Sequence, residues 1–316
     1  MKYVDAHYEI VRDLSGETDV YKHLESVART CYQSFDYAKP DSYKRLLTML
    51  LKHGHEAMIE HANFVLSIPK SDLDDLIKIL AGKEHFIRFT NLQSGPLLSG
   101  NPRAIRDLYR NFGENESVCK IINLLNERYP LLFSDLLNQD DMLKKPEASS
   151  DSAKELHIKL VNDTQNLSDQ EKLIHVYISV RFKDVPRGFT HEIVRMRGAR
   201  QIWDEDYSTE DLLKHTSFGQ ESTRYCDYTK KKFGNGLKVV ISPVELTKEQ
   251  KKLFEKAYKC AEKYYAELRD AGVKAQIARD VLPIGVKSEI VVTTNLQEWH
   301  HILQLRTHPS AHPIMH

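Results

Sequence analysis

The sequence predicts a mixed protein of many helices and a few short strands, not a Rossmann fold. Three observations predict it. Apolar residues recur at helical spacing over several stretches of ten residues or more, and short apolar, β-branched runs lie between them. No glycine-rich GxGxxG loop follows a strand, and no internal repeat is present.

In chain order, Val20 to Ser34 has helical periodicity, as does Ser42 to His53 with leucines at 46, 47, 50 and 51. Asn63 to Pro69 reads as a strand, and Ser71 to Ala81 as a helix capped by Ser71 with Asp74 three residues on. Asn101 to Arg110 and Glu116 to Arg128 continue the helices. From Asp135 to His157 the composition turns polar, with Pro146, Ser149, Ser150 and Ser152, as in an insertion or linker. Val176 to Phe182 reads as a strand, Gly188 to Arg197 as a helix and Leu237 to Ser242 as a strand. Thr247 and Gln250 form a capping pair for a long helix to Ala271. Ser288 to Thr294 is then a strand and Leu296 to Arg306 a helix.

A chain of 316 residues, 41% of them hydrophobic, buries a substantial core. Forty-five basic and forty-five acidic residues give no global field for nucleic acid or an anionic membrane, so a phosphate site must be made locally. No apolar run is long enough to span a bilayer, and Met1 to His7 lacks the apolar core of a secretion signal, so a cytoplasmic protein is expected. Cys31, Cys119, Cys226 and Cys260 are widely spaced and form no CxxC pair, which argues for free thiols and against a structural zinc site.

Two short motifs carry the chemistry. Arg195-Met196-Arg197 ends an apolar stretch, and Ser217-Phe218-Gly219-Gln220-Glu221-Ser222-Thr223-Arg224-Tyr225 follows. Together they offer three guanidinium forks for bidentate phosphate capture, with hydroxyl and amide groups suited to a uracil-like edge. Either motif alone would read as solvated charge and a turn; their flanking sequence points to a nucleotide pocket.

Ile178 to Phe182 and Arg187 to Arg195 resemble the flavin-dependent thymidylate synthases. The resemblance extends in family order through Ala28 to Tyr32, Lys52 to Glu56 with Glu60-His61, and Ser99 to Ala104. It continues through Ala278 to Pro283, Thr294-Asn295, Leu303 to Arg306 and Ala311 to Pro313. It implies a single catalytic domain over 1–316, with an α+β fold of mixed helices and antiparallel sheet. It also implies a homotetramer with shared active sites. The implied reaction is reductive methylation of dUMP to dTMP, with methylenetetrahydrofolate as carbon donor and NADPH reducing FAD, which passes a hydride onward.

By the same resemblance, Glu192, Arg195, Gln220, Glu221, Ser222, Thr223, Arg224, Arg279 and Arg306 meet the nucleotide. His55, Glu60, Arg195, Met196, Arg197, Asn295, Gln297 and His301 meet FAD, although His301, beside His300 and Trp299, reads equally as a surface histidine. Arg306 is the expected catalytic residue, because a fixed guanidinium near N3 and O2 would stabilise negative charge spread over the uracil ring. On a helix, residues two apart point about 200° apart, so Arg195 and Arg197 are expected to serve different ligands. Cys226, beside Arg224, is assigned to packing rather than to attack on the ring.

The chain departs from the family pattern at Met196, where histidine is usual, and at 200–216, which looks like an insertion within the site. That insertion carries Asp204, Glu205, Asp206, Glu210 and Asp211 with Trp203 and Tyr207, with Ser208 and Asp211 as a cap, and is read either as a lid or as a solvated acidic excursion. Two other functions remain open. One is a metal-dependent hydrolase, drawn from His53, His55, Glu56, Glu60 and His61, although His55 and His61 are not at HExxH spacing. The other is a non-catalytic or altered-specificity nucleotide-binding homologue without flavin chemistry.

Overall fold

The computed structural model describes residues 1–11, 17–81, 86–137, 158–161, 163–196, 216–240 and 244–315. Arg197 and nearly all of the two expected insertions lie outside them.

The first part is helical around a small sheet. Helices α1 (Glu17–Tyr32), α2 (Ser42–Lys52), α3 (Lys70–Leu80), α4 (Pro102–Phe112), α5 (Glu116–Arg128) and α6 (Pro130–Phe133) surround strands β3 (Phe64–Ser67), β4 (Ile87–Leu92), β5 (Gly95–Gly100) and β6 (Lys159–Leu160). These strands run antiparallel in the order β4-β5-β3-β6. Leu24, Leu47, Leu50, Leu66, Leu76 and Leu125, all fully buried, fill the shared core, and this burial is the main drive for the helices' amphipathic pattern.

Asn101 and Asn115 accept from the N–H groups of Ala104 and Val118 and start α4 and α5. The expected Ser71 cap is not observed. α3 begins at Lys70, and Pro69 at the cap position has no side-chain oxygen to accept from the first helical N–H groups. The start of the expected polar insertion is tied to the core: Leu137 packs into it, and the exposed Asp135 accepts from both Nη atoms of the buried Arg106 at 2.6 Å.

The second sheet positions the site. Strands β2 (His7–Val11), β7 (Tyr177–Pro186), β8 (Ser217–Gln220) and β10 (Lys287–Asn295) run antiparallel in the order β2-β7-β10-β8. Helices α7 (Asp169–His175) and α8 (Arg187–Ile193) flank β7, and α11 (Leu296–Arg306) follows β10. The short strands β1 (Lys2–Tyr3) and β9 (Lys238–Val239) pair in parallel, near α9 (Lys248–Asp270) and α10 (Ala275–Ala278). Thr247 and Gln250 form the expected capping box of α9.

One irregularity shapes this sheet. Ser288 pairs with Val185 and Ile290 with Phe182, so two residues of β7, Lys183 and Asp184, stand opposite one of β10, Glu289. Asp184 takes φ of 52° at this bulge. Ile178, Val180, Phe182 and Val185 pack with Ile290, Val292, Phe189 and Trp299 on the apolar side.

A polar seam joins α1 to the sheet. His23 Nε2 meets the His61 carbonyl at 2.9 Å and Ser179 Oγ at 3.1 Å, while Thr293 Oγ1 lies 2.7 Å from both Ser179 Oγ and His61 Nδ1. Gly219 of β8 runs against it: an added Cβ would lie 2.8 Å from Val27 Cγ1 and 3.2 Å from His61 Nε2. Among the described residues no helix is long and apolar enough to cross a membrane.

Candidate functional site

β8 ends at Gln220, and the chain then turns under α1. The Ser222 N–H donates to the Cys31 carbonyl at 2.9 Å, and the Tyr225 and Cys226 N–H groups return to the Ser222 carbonyl at 3.2 and 2.9 Å. Thr223 is buried and Arg224 exposed, its guanidinium 5.3 Å from the Tyr225 ring centroid. Arg279, which opens a 3-10 turn after α10, donates from Nη1 to Thr223 Oγ1 at 3.3 Å. Arg279 thus meets the turn that bears Ser222, Thr223 and Arg224, and guanidinium groups with hydroxyls are the donors an anion requires.

Glu221 faces the other way. It is 2% exposed, and both carboxylate oxygens are engaged inside the protein. Oε2 accepts from Lys287 Nζ at 3.0 Å and Oε1 from the Tyr228 hydroxyl at 3.2 Å. Lys287 also donates to Glu289 Oε1 at 3.0 Å and lies 3.8 Å from Asp184, while Arg181 Nη2 donates to Glu289 Oε2 at 2.6 Å. Burial alone would depress Lys287, but Glu221 and Glu289 outweigh it and hold its ammonium above the usual lysine range. Burial pushes Glu221 up against the pull of Lys287, whereas Glu289, buried too, is held below the usual range by Lys287 and Arg181. Glu221 therefore anchors the turn from beneath instead of presenting its carboxylate on the outside.

α8 and α11 form the second group. Arg306, in the last turn of α11, donates from Nη2 to the Glu192 carbonyl at 2.8 Å and from Nη1 to Glu192 Oε2 at 3.1 Å. Arg195 Nη1 lies 3.4 Å from the same Oε2, and its side chain is 70% exposed. The two groups are joined through Gln220, whose Nε2 donates to Thr190 Oγ1 of α8 at 2.7 Å.

The helical argument about Arg195 does not hold. α8 stops at Ile193, so Arg195 and Met196 lie beyond its last turn and the 200° relation does not apply. Met196 is only 6% exposed and packs into the apolar cluster with Val185, Phe189 and Trp299.

The residues expected at flavin divide in two. Glu60 binds Arg103 Nη1 at 2.5 Å and Ser217 Oγ at 3.1 Å, and the exposed His55 stands 3.4 Å from the Tyr32 hydroxyl, whose ring lies 5.2 Å from that of Tyr225. On α11, Gln297 and His301 are half-buried. Asn295 is inward and committed: Oδ1 caps α11 through the Glu298 N–H at 2.9 Å, and Nδ2 donates to the Ile174 carbonyl at 3.1 Å. That cap is required because the first N–H groups of a helix have no partner within it. Arg197 lies outside the described residues.

Cys226 is fully buried, and burial followed by the Glu221 charge pushes its thiol up to about 12. This matches a packing role, since the thiol stays protonated and poorly nucleophilic. His55 and the buried His61 do not converge, and among the described residues no three His, Cys, Asp or Glu side chains gather as metal ligands would. Sequence reasoning passed over Lys287, Glu289, Arg181 and Thr190. A signal was present in Lys287-Ser288-Glu289, where two charges open a strand whose nine positions are all buried.

The sequence model of a family described as "Thymidylate synthase complementing protein" matches residues 133–314. Among curated proteins, a flavin-dependent thymidylate synthase of Geobacter sulfurreducens is 29% identical over 168 residues, 53% of this chain and 61% of that protein. One of Saccharolobus solfataricus is 33% identical over 139 residues, 43% of this chain and 47% of that protein. The chain thus spans about half to three fifths of the length of these relatives. Among solved structures, the UMP/dUMP methylase PolB of Streptomyces cacaoi, bound with 5-Br dUMP, aligns with a TM-score of 0.36 at 14% identity, covering 98% of this chain and 81% of that one. Thymidylate synthase X of Helicobacter pylori with FAD and dUMP aligns with a TM-score of 0.32 at 16% identity, covering 68% and 81%.

Proposed function

The chain belongs to the thymidylate synthase complementing protein family, and from that premise we propose that it methylates dUMP to dTMP reductively. In this reading methylenetetrahydrofolate gives the carbon, NADPH the electrons and FAD relays them, in a cytoplasmic homotetramer. The observation that carries the reading is the contact of Arg279 with Thr223, on the turn that also bears Ser222 and Arg224, tied through Gln220 and Thr190 to α8, whose Glu192 holds Arg306 of α11. A nucleoside monophosphate has an anionic end for the first group and a polar ring edge for the second.

The residues present fit a flavin in part. His55, beside the aromatic pair Tyr32 and Tyr225, and Arg195, Gln297 and His301, after α8 and on α11, are accessible polar side chains, whereas Met196 and Asn295 are turned inward. When bound, the flavin supplies hydride chemistry that no side chain offers. The protein's own part is to grip the phosphate with Arg224 and Arg279 and to fix the uracil ring. Arg306, oriented by Glu192, stabilises negative charge developing on the pyrimidine when C5 attacks.

The inward Met196 and Asn295 favour one second reading, a nucleotide-binding homologue with altered or lost flavin chemistry. Anaerobic incubation with dUMP, methylenetetrahydrofolate and NADPH, with and without added FAD, separates the two. Production of dTMP that depends on FAD is expected. A colourless protein that binds dUMP yet forms no dTMP at saturating FAD overturns the first reading in favour of the second.

A further inference from the structure

We propose that Lys287 is a positioning residue for the nucleotide turn: by neutralising the buried Glu221 carboxylate it holds Ser222, Thr223 and Arg224 in place against α1 and Arg279. The inference rests on the reading of that turn as the phosphate-gripping part of a nucleotide site.

Glu221 immediately precedes the turn and is fixed from several directions. Its N–H donates to the Glu289 carbonyl at 2.8 Å, its carbonyl lies 3.5 Å from Arg187 Nη1, and its side chain bridges Lys287 and Tyr228. The far side of the turn is pinned by Cys226, which is fully buried and returns its N–H to Ser222. Lys287 is itself 7% exposed, on β10, and its ammonium links Glu289 of the same strand to Glu221, which follows the neighbouring β8.

Without that ammonium, two buried carboxylates would face each other across the space it fills. An uncompensated buried charge is strongly unfavourable; Glu221 sheds it by taking up a proton or by swinging outward, and in either case the ionic hold on the turn is lost. Its backbone is continuous with Ser222, so that loss frees the groups that meet the phosphate. Arg306 and Glu192 stand on other elements and keep their geometry. Nucleotide affinity should therefore fall while turnover of bound nucleotide is kept.

The test compares the full-length protein with Lys287→Met, Lys287→Arg and the double variant Glu221→Gln/Lys287→Met. Three measurements are made: backbone hydrogen exchange over residues 217–228 without ligand, dUMP affinity by calorimetry, and the kinetics of dTMP formation for KM and kcat. Lys287→Met should speed exchange in 217–228 but not in β3, and should raise the dUMP Kd and KM about tenfold or more with kcat within about twofold, as expected for displaced binding groups. Lys287→Arg and the charge-balanced double variant should recover most of the protection and affinity. Wild-type exchange and wild-type Kd in Lys287→Met overturn the proposal, as does faster exchange spread over the whole chain or a fall in kcat at unchanged KM. If wild-type protein binds no dUMP while the exchange change stays local, the nucleotide reading fails and the hold of Lys287 on the turn is supported.

Discussion

Arg306 grips Glu192 twice, through the backbone carbonyl at 2.8 Å and the carboxylate at 3.1 Å, so the last turn of α11 is tied to the last turn of α8. The two bonds orient the guanidinium, and a lysine has no planar fork to make both. Arg306→Lys should lower kcat for dTMP formation by about 10²–10³, the effect of removing one preorganised donor, with an unchanged far-ultraviolet spectrum. Turnover within a few-fold of wild type would show that the fork is not needed.

Gly219 leaves no room for a side chain. With an added Cβ 2.8 Å from Val27 Cγ1, Gly219→Ala must push α1 away from the sheet. Overpacking of this kind costs about 1–3 kcal/mol, to be read as a lower urea midpoint at unchanged slope. An unshifted midpoint would mean that α1 yields freely.

Stability should fall with pH well above the range where carboxylates protonate. Burial lowers His61 from 6.5 to about 3 and His175 from 6.5 to about 4. Both are neutral when folded, but once unfolded each binds a proton near its ordinary value. Their contribution is therefore complete above that value and is lost progressively as pH falls towards the folded values. Linkage gives a loss of about 2 kcal/mol per histidine between pH 7 and pH 5. Urea denaturation at the two pH values measures it, and a drop under about 1 kcal/mol in total would contradict the neutral assignment.

Thiol reactivity should follow burial. Cys260 is exposed, whereas Cys31 and Cys226 are buried with thiols pushed up to about 12. A disulfide reagent at pH 8 should label Cys260 first, and Cys31 and Cys226 only after unfolding. Cys226→Ala should keep dTMP formation near the wild-type rate; its loss in a folded variant would give Cys226 a chemical role.

The helices were legible where one local rule decided them. α5 spans the expected Glu116–Arg128, α11 the expected Leu296–Arg306, and α9 starts at its capping box. The β4–β5 hairpin was not legible, because Ile87–Leu92 mixes apolar and polar side chains and becomes a strand only by pairing with β5. The end of α8 was misplaced because nothing between Ile193 and Arg197 breaks a helix locally. Asn295 shows how a local rule can be passed over: Asn with Glu298 three residues on is a helix-start pattern, and its side chain is the cap. In the site, pairs such as Arg279 with Thr223 are far apart in sequence and rested on the family resemblance. The buried charges under the turn follow from the sheet register, which no single segment encodes.

The bulge in β7 sets how this strand can vary in length. Ile178, Val180 and Phe182 precede it and Val185 follows on the same apolar side, so dropping the extra residue would leave the hydrophobic side chains in phase. The opposite side would register the loss. Asp184 adds a third carboxylate to Glu221 and Glu289 around two cations, Lys287 and Arg181. Deleting Asp184 would thus leave the apolar side chains in phase and take the ionic layer from an excess of one negative charge to parity.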